Sequence, residues 1–476
     1  MKKRTLYKII FKTLIQPGGM ARLFSVSASF LLAILILNSC FSVEKSDAQE
    51  FEIGKVYPKI CCAADSSQSY ALFLPSNYDK NTPCPVLVLF DSHGDGLLPV
   101  NLFSNDASKS GFIVAGSNNS KNGMTLEETT AIYRNVLADL TSRFTIEKKA
   151  IYLGGFSGGS RVAAAAAITE GGVAGVVGCG AGLPNLNQKP QTPFSYLAVV
   201  GNQDFNLTEM MQLDESLEKA GYQHHLLLFD GIHQWPPKEL IPDIFTWLRF
   251  DAMRQKSIPE NRSDINLFIE QNDKKANDLA SKIKFPEQQE IYQKMVHYLN
   301  GLTDVSPLLN EIKRLENETS VVAFHQQKKD LKEMEQALQQ KYLPEIEQKD
   351  VNWWKKETAK LFSLAENPKN PETGAVYKRL LGSLSLSCYM YSNAALKQGN
   401  LALASKHIEI YSLVDPSNAE HRYMAAKVAA LNGNSDEVFT ALNQALELGF
   451  LDYSRLDSDF SAYRNDKRFK CLQLVR

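Results

Sequence analysis

From Tyr70 to Phe229 short apolar runs alternate with helix-like stretches, and this alternation constrains the fold more than any other feature of the chain. The runs are YALFLP (Tyr70 to Pro75), PVLVLF (Pro85 to Phe90), GFIVAGS (Gly111 to Ser117), KAIYLGG (Lys149 to Gly155), VAGVVGCG (Val173 to Gly180), FSYLAVVG (Phe194 to Gly201) and HHLLLF (His224 to Phe229). Several are apolar throughout, as expected of strands covered on both faces in a parallel sheet. Helical patterns at Thr125 to Arg143, Ser160 to Thr169, Thr208 to Ala220 and Pro237 to Asp251 lie between or after them. The expectation is an α/β domain over residues 50–253 with a doubly wound, mostly parallel sheet.

The alternation stops near Met253, and residues 262–476 carry only helical patterns, which predicts an all-α domain. Near its end a period of 34 residues emerges: Gly399 and Gly433, Asn400 and Asn434, Ile408 and Leu442, Tyr411 and Ala445. This stretch, 385–450, resembles tetratricopeptide repeats, with Gly399, Ala404, Ile408 and Pro416 at the small, packing and turn positions. In the second copy Val438 and Phe450 replace the usual Ala and Pro. Stacked repeat helices imply a protein-contact surface; an unrelated helical bundle is the alternative.

Residues 1–40 read as an export signal: Lys2, Lys3, Arg4, Lys8, Lys12 and Arg22 precede the apolar run FLLAILIL. That run is shorter than the ~20 residues needed to span a bilayer. LNSC, ending at Cys40, resembles a lipobox, although Asn38 departs from the small or branched residue usual there. It implies lipidation of Cys40 and a bacterial lipoprotein in the periplasm or on the outer membrane, tied to membrane only by its lipid. Met20 opens a complete signal of its own. A net charge of -1 excludes a basic surface for nucleic acid. The cysteines show no metal-ligand spacing, so no zinc site is expected; in an exported chain Cys84 could pair with Cys61 or Cys62.

The chemistry concentrates at Gly155-Phe156-Ser157-Gly158-Gly159, a G-x-S-x-G set between the strand AIYL and the helix former RVAAAAAI. This is the strand, turn and helix setting of a nucleophile elbow, with small flanking residues for the sharp turn and helix amides aimed at the reacting oxygen. No P-loop lysine follows, which argues against a phosphate cradle.

A serine hydroxyl needs a histidine base and an acid to orient it. Between Gly171 and Gln203 there is no Asp or Glu, and the first acid at a strand end is Asp204. Asp230 is the alternative. Of the eight histidines, His233 is the one in a loop on the C-terminal edge of the predicted sheet. Trp235 could stack on a substrate ring or cap the core. The oxyanion hole should draw on the amide of Gly158 and on the loop after PVLVLF, where Ser92 and His93 are the candidates.

With these residues in view, Phe51 to Asp251 resembles the α/β-hydrolase family, and SYALFLPSNYD, LFDSHGDG and GFIVAGSNNSKNG are similar to exported bacterial esterases and polyester depolymerases. In this chain His93-Gly94 follows two residues later than the family's His-Gly. The resemblance implies a covalent acyl-enzyme with no metal and no cofactor. Only Ala181 to Pro193 separate the strand after the elbow helix from the next, too few for an inserted cap. An open cleft suits bulky or polymer-borne esters, unless the helical domain folds back over it. A peptidase of the same fold and a non-catalytic binding protein are the competing readings.

Overall fold

In the computed structural model, residues 51–184, 189–450 and 452–473 are described. The signal segment and Cys40 therefore lie outside the described residues. Eight strands form one sheet: β1 (Val56–Cys61), β2 (Ser69–Phe73), β3 (Cys84–Phe90), β4 (Ile113–Ser117), β5 (Ile146–Phe156), β6 (Gly175–Cys179), β7 (Ser195–Gly201) and β8 (His224–Phe229). Their order is β1-β2-β4-β3-β5-β6-β7-β8. β2 runs antiparallel to both β1 and β4, and every other pair is parallel. This is the doubly wound α/β-hydrolase architecture.

Burial explains the strand sequences. Every residue of β3 and of β7 is buried, because helices cover both faces. On one face lie α1 (Leu97–Ser110) and, at the end of the domain, α5 (Ile241–Arg254); on the other lie α2 (Leu126–Arg143), α3 (Gly158–Glu170) and α4 (Leu207–Lys219). The capping box of Thr125 and Glu128 starts α2.

Two elements depart from expectation. β1 is an edge strand with Lys59 and Cys61 exposed, so no apolar run marks it. α1 holds Val100, Phe103 and Ala107 on its buried face, but Pro99 in its first turn and the lack of a side-chain cap hide it. The suggested disulfide is also corrected: Cys61, Cys62 and Cys84 are all free thiols. Two strands stand between β1 and β3, which at about 4.8 Å per strand puts their backbones about 14 Å apart, beyond a disulfide's reach.

Residues Ile53–Arg476 form one compact unit. The first helices beyond the sheet, α6 (Arg262–Ser281), α7 (Phe285–Leu299) and α8 (Ser306–Leu315), share its core. Phe268 meets Phe250 of α5 edge-on at 5.3 Å and stacks on Tyr298 at 5.2 Å. Arg254 donates to the carbonyls of Asn300 and Tyr298.

Then follow α9 (Thr319–Tyr342), α10 (Glu345–Gln348), α11 (Val351–Ala365), α12 (Pro371–Lys397), α13 (Leu401–Val414), α14 (Glu420–Leu431), α15 (Ser435–Glu447), α16 (Tyr453–Asp459) and α17 (Lys467–Gln473). They bury two further clusters, one around Trp354, Leu384 and Tyr411, the other around Tyr423, Leu442 and Phe450. The 34-residue spacing has a structural counterpart. Gly399 and Gly433, at φ 71° and 73°, end α12 and α14 in the left-handed region. Asn400 and Asn434 then cap α13 and α15 through their side chains.

Candidate active site

Ser157 stands between β5 and α3 with φ 53° and ψ -118°. A non-glycine residue there carries about 1–3 kcal/mol of strain, held by its surroundings. The turn is tight because backbone packs on backbone: a Cβ on Gly159 would fall 1.9 Å from the Phe90 carbonyl oxygen. Only glycine fits, and the close approach ties the elbow to the end of β3.

Asp204 and His233 come from the loops after β7 and β8, and the fold brings both to Ser157. His233 Nε2 lies 2.9 Å from Ser157 Oγ, and His233 Nδ1 lies 2.9 and 2.8 Å from the two oxygens of Asp204. Asp204 is fully buried, and its Oδ1 also accepts from the amide of Asn206 at 2.8 Å. A carboxylate only accepts, so this network assigns the proton to Nδ1 and leaves Nε2 to accept from the serine hydroxyl. Asp230 is exposed and accepts instead from the Gln203 side chain at 3.2 Å.

The loop after β3 is braced by a carboxylate. Asp91 Oδ1 accepts from the amide of His93 at 2.8 Å, and Asp91 Oδ2 accepts from the indole nitrogen of Trp235 at 2.9 Å. Burial pushes the Asp91 carboxyl up, but these donors and the His93 ring hold it below its ordinary value. The His93 amide is thus committed within its own turn. Its ring is 81% exposed and keeps its proton more readily because Asp91 lies beside it, with smaller effects from Asp452 and Glu420. Trp235 packs edge-on against Phe103 at 6.0 Å and lies 5.7 Å from Phe156. Ser92 is buried, and its carbonyl accepts from the amide of Asn122 at 2.9 Å.

Three contributors escape sequence reasoning. The exposed Asn122, from the loop after β4, lays its side-chain amide over Gly158, where an added Cβ would fall 1.8 Å from its oxygen. Phe205 packs against His233 with ring centroids 4.3 Å apart and the planes tilted by 37°. Behind Phe205 stands α12: a Cβ on Gly382 would meet the Phe205 ring at 2.9 Å. Three residues earlier on α12, Arg379 donates to the carbonyl of Asn202 at 2.7 Å and pairs with the buried Glu335 of α9. The helical region therefore walls the acid loop, while Asp452 and Glu420 act on His93 from another part of the same region.

No protein-family model and no curated protein matches the chain. Among solved structures the chain is similar to an S-formylglutathione hydrolase from Staphylococcus aureus, at 17% identity and TM-score 0.32 over 38% of this chain and 90% of that one. It is similar also to an esterase from the archaeon Pyrobaculum calidifontis, at 16% identity and TM-score 0.35 over 48% of this chain and 93% of that one. A feruloyl esterase module from Clostridium thermocellum aligns at 14% identity and TM-score 0.33 over 41% of this chain and 87% of that one. The fold assignment is carried by the strand order and the elbow.

Proposed function

We propose that the chain is a serine hydrolase that cleaves carboxylic esters through an acyl-enzyme. The carrying observation is the continuous hydrogen-bonded line from buried Asp204 through His233 to a serine held at φ 53°. Ser157 Oγ attacks the ester carbonyl while its proton passes to His233 Nε2, and Asp204 stabilises the imidazolium. The oxyanion is received by the amides of Gly158 and Ser92. Collapse breaks the bond to the alcohol, which leaves with the proton from His233. Water, deprotonated by the same nitrogen, then attacks the acyl carbon and frees the acid and the serine.

The catalytic set comes entirely from residues 50–253, and the helical domain of 262–476 acts as its wall and as a surface for a protein partner. An N-terminal signal with a lipid on Cys40 would hold the enzyme at a bacterial envelope membrane. Among the described residues no helix is long and apolar enough to cross a membrane. Labelling with a fluorophosphonate probe tests the reading. The folded chain should label, Ser157→Ala should not, and His233→Ala should label far more slowly. A folded chain that stays unlabelled would overturn it and favour the non-catalytic alternative.

A further inference from the structure

At the opposite end of β8 from His233, roughly 17 Å along a six-residue strand, a second group of ionisable side chains converges. Asp214 and Glu218 sit one turn apart on α4, a spacing that puts both on one helix face. Next comes His224, the first residue of β8, with its side chain only 3% exposed. His297 arrives from the last turn of α7, whose end is held by the Gln223 side chain donating to the His297 carbonyl at 2.7 Å. Ligand atoms of Glu218, His224 and His297 all lie within 4.8 Å of one another.

Hydrogen bonding fixes what this pocket demands. His224 Nδ1 is 3.0 Å from the carbonyl of Tyr222, which can only accept, so Nδ1 carries hydrogen. His224 Nε2 faces Asp214 Oδ1 at 3.2 Å and Glu218 Oε2 at 3.6 Å. In a neutral ring that nitrogen is a bare lone pair, and three acceptors then point at one spot. Something positive belongs there, either a proton on the ring or a metal ion. Two ligands about 2.05 Å from a tetrahedral Zn2+ stand about 3.3 Å apart, and the two measured separations bracket that value.

His297 decides between the two. An imidazolium at position 224 is already served by two carboxylates and gains nothing from a second imidazole 5.1 Å away, centroid to centroid. A metal ion, by contrast, takes a second imidazole as a further ligand, and imidazole nitrogen is a common donor to ions of the Zn2+ class. The His224 arrangement, with one ring nitrogen on a carbonyl and the other toward the pocket, is also the usual outer-shell support of a metal-binding histidine. Behind the group lie His225, whose ring centroid is 5.1 Å from that of His297, and Lys294, which pairs with Asp243.

We propose that Glu218, His224 and His297, with Asp214 as fourth ligand, hold a divalent ion of the Zn2+ class that clamps α7 to the edge of the sheet. No spacing in the sequence announces this site, because its ligands come from a helix, a strand end and a helix of the following region. Its remoteness from Ser157 makes the role structural.

The test uses the full chain, without an affinity tag, stripped with a chelator and titrated with Co2+ as a spectroscopic stand-in. One Co2+ per chain should bind with the intense visible absorption of a tetrahedral centre, Zn2+ should displace it, and Zn2+ should raise the melting temperature. Glu218→Gln should weaken Co2+ at least about tenfold, the scale of lost site interactions. Because the Glu218 side chain is 70% exposed, this variant will fold, and Asp214→Asn provides a second. A melting temperature indifferent to Zn2+ and chelator, with no tetrahedral absorption, would assign the pocket to a protonated His224 and overturn the proposal. Binding that survives both substitutions unchanged would overturn it too.

Discussion

The ring of Phe205 lies 4.3 Å from the ring of His233, and a Cβ added to Gly382 of α12 would fall 2.9 Å from that same Phe205 ring. A residue of the C-terminal helices thus lies against the ring that packs on His233. A side chain at position 382 must displace Phe205, since its Cβ would sit 2.9 Å from the ring. Gly382→Val should lower kcat on a small activated ester by about tenfold or more, given that misplacements of about 1 Å can cost about a hundredfold. KM should change less than kcat, because the displacement reaches the site through Phe205 and His233. An unchanged kcat in a folded variant would separate α12 from the chemistry.

Arg379 offers a finer test of the same wall. Its guanidinium is 8% exposed and its partner Glu335 is 2% exposed, so Arg379→Met leaves a buried charge alone and should cost about 3–5 kcal/mol. In Arg379→Met with Glu335→Leu most of that stability should return. The bond to the Asn202 carbonyl stays missing, and kcat should remain low although chemical unfolding looks near normal. Recovery of both together would mean that Arg379 only stabilises.

Asp204 and Asp230 are separated by substitution. Asp204→Asn keeps the shape but reverses the histidine tautomer, and hydrolysis should fall by about 10⁴, the loss typical when a triad acid is neutralised. Asp230→Asn should change the rate less than about threefold, since an exposed side chain that meets only Gln203 has no hold on the ring. Comparable losses in both would demand a different acid.

The pair of carboxylates was unequally legible for a reason. A stretch without acids from Gly171 to Gln203 left Asp204 as the first at a strand end, and strand ends are where this architecture places function. Ser157 and His233 stand out on the same grounds, as residues with a strand before them and a turn of known demands, and the fold places them 2.9 Å apart. Phe205, Asn122 and Arg379 do not stand out: each acts through a contact with a segment distant in the chain, and neither composition nor period records such a meeting. The His93 amide is a related case. Its loop position was evident, but its capture by Asp91 depends on a side-chain rotamer. β1 and α1 escaped because polar edge positions and an early proline mask their patterns.

Acid should act on the sheet through Asp139. Burial pushes this carboxyl up, yet Arg143, the Ala63 amide and the Tyr70 hydroxyl together hold it below its ordinary value. A lowered native value stabilises above the unfolded value of about 3.9 and is lost as pH falls through the native one. Asp139→Asn should therefore cost about 2 kcal/mol at pH 7, in line with hydrogen bonds to a charged group. The gap to the parent chain should narrow below about pH 4 in thermal melts. A gap that stays constant down to pH 3 would remove Asp139 from the acid response.

The aromatic packing of Phe250, Phe268 and Tyr298 across the end of the sheet has a bearing on inheritance. A gene segment ending after Met253 would encode Ser157, Asp204 and His233 and still produce a chain with one flank of its core open to water. The α/β domain by itself would therefore lack part of its core. A shortened chain with a closed core has to keep at least α6, α7 and α8 beside the sheet.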